Sequence, residues 1–333
     1  MKLVDIYNLA VSMGIKTDPR GKREVDKFLK KQKEAYEKLS DEDKELYDTE
    51  RLTNPFADTR ILSGDFATEV KAILAGIDME AAEIMLADRL REKGRRVDLV
   101  MSHHPEGKAL AALADVMDVQ ADIWHKAGVP INVGEAVLEG RQAEVGRLML
   151  SLNHQRPVQT AHLLGLPFMC CHTPTDNLVA NELQKFFDRR RDLTLGDVRD
   201  DLKKNYPEYR EAARQNAGPT IVVGKESRRA GKVLVDMTGG TGGPSESMEN
   251  LAQAGVGTLV GMHISEKNRE AAEKHKINVV IAGHNASDSL GINLFLDELE
   301  KKGVEIIPCS GLFRVSRLRK PAKRTARKST KKK

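Results

Sequence analysis

The chain has 333 residues, 40% hydrophobic and 31% charged, with 54 basic against 49 acidic side chains. No run approaches the roughly 20 apolar residues of a spanning helix, and Met1-Lys2-Leu3-Val4-Asp5 is too acidic and too briefly apolar for a secretory leader, so no membrane partner is expected. Three cysteines, Cys170, Cys171 and Cys309, make no disulfide framework and fit a reducing cytoplasm, and the length favours two domains.

Residues 1–62 read as a helical N-terminal extension. Helices are predicted over 2–13 and 22–39, and a third is capped by Ser40 with acids in its first turn; Thr53-Asn54-Pro55 closes the arm, which is expected to pack on the core or on a neighbouring subunit. Strand and helix then alternate: strand 72–77, helix 79–93, strand 97–102, helix 107–126, strand 129–132 and helix 135–152. An apolar run over 166–171 precedes a helix through Phe187, and a charged helical connector with few large apolar residues fills 193–217. Strands at 221–223, 233–237, 258–262 and 277–282 resume the alternation. The pattern predicts an α/β fold in two core parts, 63–217 and 218–313, with no short-period repeat.

Residues 314–333 have a different chemistry. They hold 11 basic and no acidic side chains; the remaining 43 basic against 49 acidic residues give residues 1–313 a net charge of −6. A run of this kind is expected to be disordered and to bind nucleic-acid phosphates in a sequence-blind, salt-dependent way, or to serve only as a solubilising tail.

Three clusters of metal-ligand residues follow apolar runs at 97–101, 166–171 and 277–282: His103-His104-Pro105, His172-Thr173-Pro174-Thr175-Asp176 and Gly283-His284-Asn285-Ala286-Ser287-Asp288. Ligands gather at the carboxyl ends of strands in open α/β sheets, so clusters far apart in sequence can converge there on a dinuclear metal cleft. Histidine nitrogens and carboxylate oxygens suit zinc, iron or manganese, while Cys170 and Cys171 end a buried run and read as packing residues. Adjacent histidines at a strand end that breaks before Pro105 suit two neighbouring ions. His284 and Asp288, four apart, share one face if a helix begins there. His263 also ends a strand and is a candidate to line the cleft. The run Gly239-Gly240-Thr241-Gly242-Gly243 reads either as backbone amides cradling a phosphate, with Gly239, Gly240, Gly242 and Gly243 as binding residues, or as a tight turn.

These motifs resemble a known family, the proteins built around NGG-one-interacting factor three, also called GTP cyclohydrolase one type two-like. The likeness rests on Asp98-Leu99-Val100-x-x-His103-His104-Pro105, on His172-Thr173-x-x-Asp176 and on Gly283-His284-x-x-x-Asp288, in that order. Residues 73–78 and the glycine run add to it, and it covers about residues 70 to 313. The resemblance implies an α/β protein with two divalent ions and a ring-shaped homo-hexamer. His103, His104, Asp176 and His284 match the family's metal ligands. Asp288 stands where the family usually has glutamate, which implies a second ion held differently, through water, or weakly. His172 matches a residue beside the metals, with a supporting or proton-transfer role. The resulting expectation is a metal-dependent hydrolase, GTP cyclohydrolase-like, acting on a nucleotide-like or other phosphate-bearing small molecule, with His172 or His263 moving protons. The competing expectation is a metal-binding scaffold or regulatory protein without turnover, associated with nucleic acid through its tail.

Overall fold

Short apolar strands and longer amphipathic helices alternate along most of the chain, and a computed structural model, which describes residues 1–318, folds them into two sheets with helices between and around them. The chain opens with α1 (Leu3–Thr17), α2 (Lys22–Glu37) and α3 (Asp41–Leu46). It then runs through β1 (Arg60–Ser63), β2 (Ala72–Gly76), α4 (Ala81–Glu92), β3 (Leu99–Ser102), α5 (Gly107–Ala111), α6 (Val119–Ala127), α7 (Ile131–Leu150), α8 (Arg156–Leu163), β4 (Phe168–Cys170) and α9 (Thr173–Asp188). Next come α10 (Leu195–Asn205), α11 (Pro207–Arg214), β5 (Thr220–Val223), β6 (Lys232–Asp236), α12 (Ser247–Gln253), β7 (Val256–Gly261), α13 (Glu266–Lys274), β8 (Asn278–Ile281), α14 (His284–Lys301) and β9 (Glu305–Pro308). No helix among the described residues is long and apolar enough to cross a membrane.

The first sheet has the order β1-β4-β3-β2-β9 and the second β5-β8-β7-β6. Each is parallel except for one antiparallel edge strand, β1 on β4 and β5 on β8. The two halves thus repeat one plan: an antiparallel edge, then the fourth, third and second strands of the half. The apolar faces show how they stack. Leu178 of α9 and Ile292 and Phe295 of α14 join one face of the first sheet, while Val179, Leu183, Ala286 and Leu290 of the same helices join the second sheet. α9 and α14 therefore form the middle layer, buried from both sides. α4 and α8 cover the outer face of the first sheet, and α6, α7, α12 and α13 that of the second.

Several expectations are corrected. Residues 129–132 form no strand, because Pro130 caps the N-terminus of α7, a place that suits a residue without an N–H. The helix expected over 107–126 is three pieces, α5, a 3-10 turn at Leu113–Val116 and α6. The segment 193–217 is no mere connector: Leu195, Val198, Leu202 and Tyr209 are fully buried against the second sheet. The N-terminal segment packs on the core: α1 is buried there, and β1, which begins at Arg60, is an edge of the first sheet. Likewise β9, within 218–313, pairs with β2 and returns to the first sheet. The tail does not begin at Arg314, whose guanidinium lies 2.6 Å from Asp297 and 2.8 Å from Glu300; Arg317 pairs with the buried Glu208 at 2.7 Å. Residues 319–333 of the predicted tail lie outside the described residues.

Candidate metal centre

The three predicted clusters meet at the carboxyl ends of the strands, around the first turns of α9 and α14. Their positions follow from the repeated plan. β3 ends in Ser102 before His103, and β7 ends in Gly261 two residues before His263; β4 leads to His172 and β8 to His284. His172-x-x-x-Asp176 and His284-x-x-x-Asp288 are the same four-residue step at the start of the two central helices, and their Nε2 to Oδ2 distances are 3.6 and 3.7 Å. Gly283 permits the turn into α14, for it has φ +111° and a Cβ there would lie 2.5 Å from the Ala217 carbonyl oxygen.

Asp288 occupies the middle. It is fully buried, yet neither carboxylate oxygen has a hydrogen-bond partner among the described residues. Its Oδ1 lies 3.4 Å from His103 Nε2, and its Oδ2 lies 3.6 Å from His104 Nε2 and 3.7 Å from His284 Nε2. Asp176 Oδ1, also unpartnered, is 3.4 Å from His103 Nε2. Three groups could each hold a metal ion: His103 with Asp176 and Asp288, His104 with His284 and Asp288, and His103 with His104 and His172. Two donors each about 2.1 Å from one ion at a tetrahedral angle stand about 3.4 Å apart. The observed spacings fit that figure, and a cation satisfies the orphaned buried atoms that the protein leaves without partners.

The far sides of the rings are held so that Nε2 turns inward. His103 Nδ1 donates to the Thr175 hydroxyl at 3.0 Å, because that hydroxyl gives its own proton to the Cys171 or His172 carbonyl. His104 Nδ1 donates to Asp78 at 2.6 Å, and His172 Nδ1 to Asp58 at 2.8 Å. This fixes each tautomer with the Nε2 lone pair toward the cleft. Burial pulls His103 down to about 4, so it stands as the neutral ring that a metal needs. Burial also pulls on His172, but Asp176 and Asp58 outweigh it and lift the ring to about 9; a proton and a metal ion compete for that Nε2. Burial, then the Asp288 and Asp58 charges, hold Asp176 well above the usual carboxylate range, a balance that a nearby cation reverses.

Beyond the centre opens a cleft of about 750 Å³, bordered by His172, Asp176, His263 and His284. Gly240, Gly242 and Gly243 line it, and Gly239 lies just behind. The run is shaped through its carbonyls: Gly239 and Thr241 accept from Gln120, Gly242 from Arg141 and Gly243 from Asn268. α12 begins only at Ser247 and is seven residues long, so the run does not itself start a helix. His263 faces this space, its ring 5.1 Å from that of His284. The floor is apolar, with Leu259, Val279 and Ile281 on the face that β6 shares through Leu234 and Asp236. Among the described residues Asp236 makes no side-chain hydrogen bond or ion pair, and desolvation lifts it to about 6.

Sequence reading missed Asp58, Asp78 and Thr175. Asp78 carried a readable signal, an acid at the end of an apolar run, as His103 does. Asp58 carried none, for it sits in a loop before a four-residue strand.

No family model matches the sequence, and no curated protein matches it either. Among solved structures, a NIF3 superfamily protein from Sphaerobacter thermophilus is similar at 27% identity with a TM-score of 0.67, over 77% of this chain and 92% of that one. This likeness supports a NIF3-like family assignment for the chain. Two weaker likenesses are the reduced form of HcgD from Methanocaldococcus jannaschii, at 17% identity and TM-score 0.46 over 75% of this chain and 88% of that one, and the protein ybgI, of unknown function, at 15% and 0.44 over 76% and 87%. Short as the Asp288 side chain is, its carboxylate reaches the neighbours on both sides.

Proposed function

We propose that this NIF3-like protein is a metal-dependent hydrolase with a dinuclear centre, acting on a nucleotide-like or other phosphate-bearing small molecule. The observation that carries the reading is the sharing of buried Asp288 between two ligand groups, one oxygen toward His103 and the other toward His104 and His284. His103 and Asp176 would hold one ion, His104 and His284 the other, with Asp288 between them. Zinc, iron or manganese bound there supplies a water that ionises near neutral pH and polarises the bond under attack.

The chain's own residues supply the rest. Asp78 and Thr175 orient His104 and His103. Burial lowers the affinity of His263 for a proton, so it stands neutral and able to accept one at the cleft side of the centre. Arg141 and Lys267 border the same cleft and attract an anionic group, while the floor of Leu259, Val279 and Ile281 accepts a flat apolar body beside the Asp236 carboxylate. Residues 319–333, with nine of the tail's basic side chains, add an affinity for nucleic-acid phosphate. Leu150 and Leu163, 83% and 84% exposed, support a homo-oligomer that covers them.

The test is metal analysis of protein purified without chelator or metal-affinity resin, followed by a nucleotide hydrolysis screen of the loaded protein. Two ions per chain and metal-dependent turnover are expected. Two ions without turnover on any phosphate-bearing compound would favour the scaffold.

A further inference from the structure

We infer that Asp236 is the specificity-determining residue of the cleft, and that it takes two adjacent N–H donors on the edge of a flat heterocycle, a ring N–H beside an exocyclic amine as guanine carries them. The inference rests on the hydrolase reading above and names the substrate class of that site.

Strand register builds the slot. Leu234, Leu259 and Val279 stand side by side on β6, β7 and β8, and Asp236, Gly261 and Ile281 form the next row on the same face. Leu259, Val279 and Ile281 line the cleft, and Gly261 leaves a bare stretch of floor between Asp236 and Ile281. Packing does not ask for that glycine: a Cβ there would meet its nearest neighbour, the Asp236 carbonyl oxygen, at 3.5 Å, an ordinary contact. What the bare backbone provides is room for the face of a ring.

The Asp236 carboxylate stands at the edge of that space. Among the described residues its side chain has no hydrogen-bond or ion-pair partner, and no cluster of metal-ligating side chains includes it. An ionised carboxylate has two oxygens that only accept, and on an apolar floor their loss of water is costly until donors replace it. A ring edge with two adjacent donors does so. An edge that sets an acceptor beside a donor, as adenine does, brings a lone pair against one oxygen and is rejected. At the mouth of the cleft Arg141 and Lys267 are paired with Glu144 and Glu246, so telling one base from another falls to the floor.

The row also points at the metal centre. β8 leads from Ile281 to His284, and His263, which follows β7, has its ring 5.1 Å from that of His284. Two strand spacings, less one hydrogen bond at the Asp236 end, leave about 7 Å across the row, room for a fused two-ring body that reaches from Asp236 toward the ions.

The experiment titrates the full-length protein calorimetrically, loaded with zinc and again after chelation, with the monophosphates of guanosine, inosine, xanthosine and adenosine. All four share the ribose phosphate, so differences report the base. Wild type should bind the guanosine compound tightest, the inosine compound, which lacks the exocyclic amine, at least tenfold more weakly, and the other two at least a hundredfold more weakly. Asp236→Asn offers one acceptor and one donor. It should weaken the guanosine compound at least tenfold and bind the xanthosine compound, whose edge sets a donor beside an acceptor, tightest of the four. Gly261→Val puts a side chain on the bare floor and should weaken all four by a similar factor. Unfolding temperatures and metal analysis check that the variants fold and load; if Asp236→Asn does not fold, the wild-type series decides alone. Equal affinities for the four compounds, binding of none of them, or an Asp236→Asn variant that keeps the wild-type order would overturn the inference. Guanosine-selective binding without turnover would sink the hydrolase reading and leave the role of Asp236 standing, whereas turnover without base preference would do the reverse.

Discussion

Gly291 of α14 crosses Thr175 of α9 so closely that a Cβ on the glycine would run into the Thr175 carbonyl oxygen. That contact is backbone, which no rotamer relieves. It sets how near the N-terminal parts of the two helices come, where Asp176 and Asp288 lie. Gly291→Ala should therefore cost about 1–3 kcal/mol of stability through overpacking and also weaken metal binding. Urea unfolding and metal content, measured on one preparation, check both; a variant destabilised with undiminished metal would separate the crossing from the centre.

The shared carboxylate makes a contrast of variants informative. His284 faces only the group with His104 and Asp288, whereas Asp288 faces both groups. Asp288→Ala should reduce binding of both ions, and His284→Ala of one. Equal losses in the two variants, read by metal analysis after gel filtration, would mean that Asp288 serves a single ion.

Much of this centre was legible because its residues end apolar runs. His103, His172 and His284 each follow a buried strand, so polarity changes abruptly where the chain leaves the sheet. Asp58 was not legible, since the strand after it is four residues long and starts with a buried arginine, whose charge reads as loop until Asp48 and two carbonyls are seen to satisfy it. The segment 193–217 looked like a solvated connector because its charged residues outnumber its apolar ones, yet Leu195, Val198, Leu202 and Tyr209 recur on one face and are buried there. The doubling of the fold was hidden for another reason. It lies in strand order, and along the sequence only the two H-x-x-x-D steps betray it.

Asp236 gives the cleft a pH signature. Desolvation raises its folded-state pKa to about 6, above the ordinary carboxylate value. The folded chain therefore holds more protons than the unfolded one between about pH 4 and 6, and stability falls as pH rises through that window. The penalty is fully present above the folded pKa and, allowing for solvent in the cleft, amounts to about 2 kcal/mol. Asp236→Asn should raise the unfolding temperature at pH 7 to 8 and leave it nearly unchanged below pH 4. A pH-independent shift across a thermal-unfolding series would contradict the assignment.

Arg314 and Arg317 belong to the folded body through Asp297, Glu300 and Glu208, so the basic segment available to a polyanion starts later. Deleting residues 319–333 should abolish binding to mixed-sequence DNA or RNA at low salt and leave metal content intact. Affinity of the full chain should fall steeply between about 50 and 200 mM salt, as counterion release requires. Deleting from residue 314 should in addition lower the unfolding temperature. Retained nucleic-acid binding by the shorter deletion would place recognition on the body.

The central claim is that one buried aspartate bridges two metal positions. Anomalous X-ray diffraction at the zinc edge, on crystals of the full chain loaded with zinc, tests it most directly. The account predicts two peaks, one among His103, Asp176 and Asp288 and the other among His104, His284 and Asp288. A single peak in the cleft, or two peaks of which only one contacts Asp288, would contradict it.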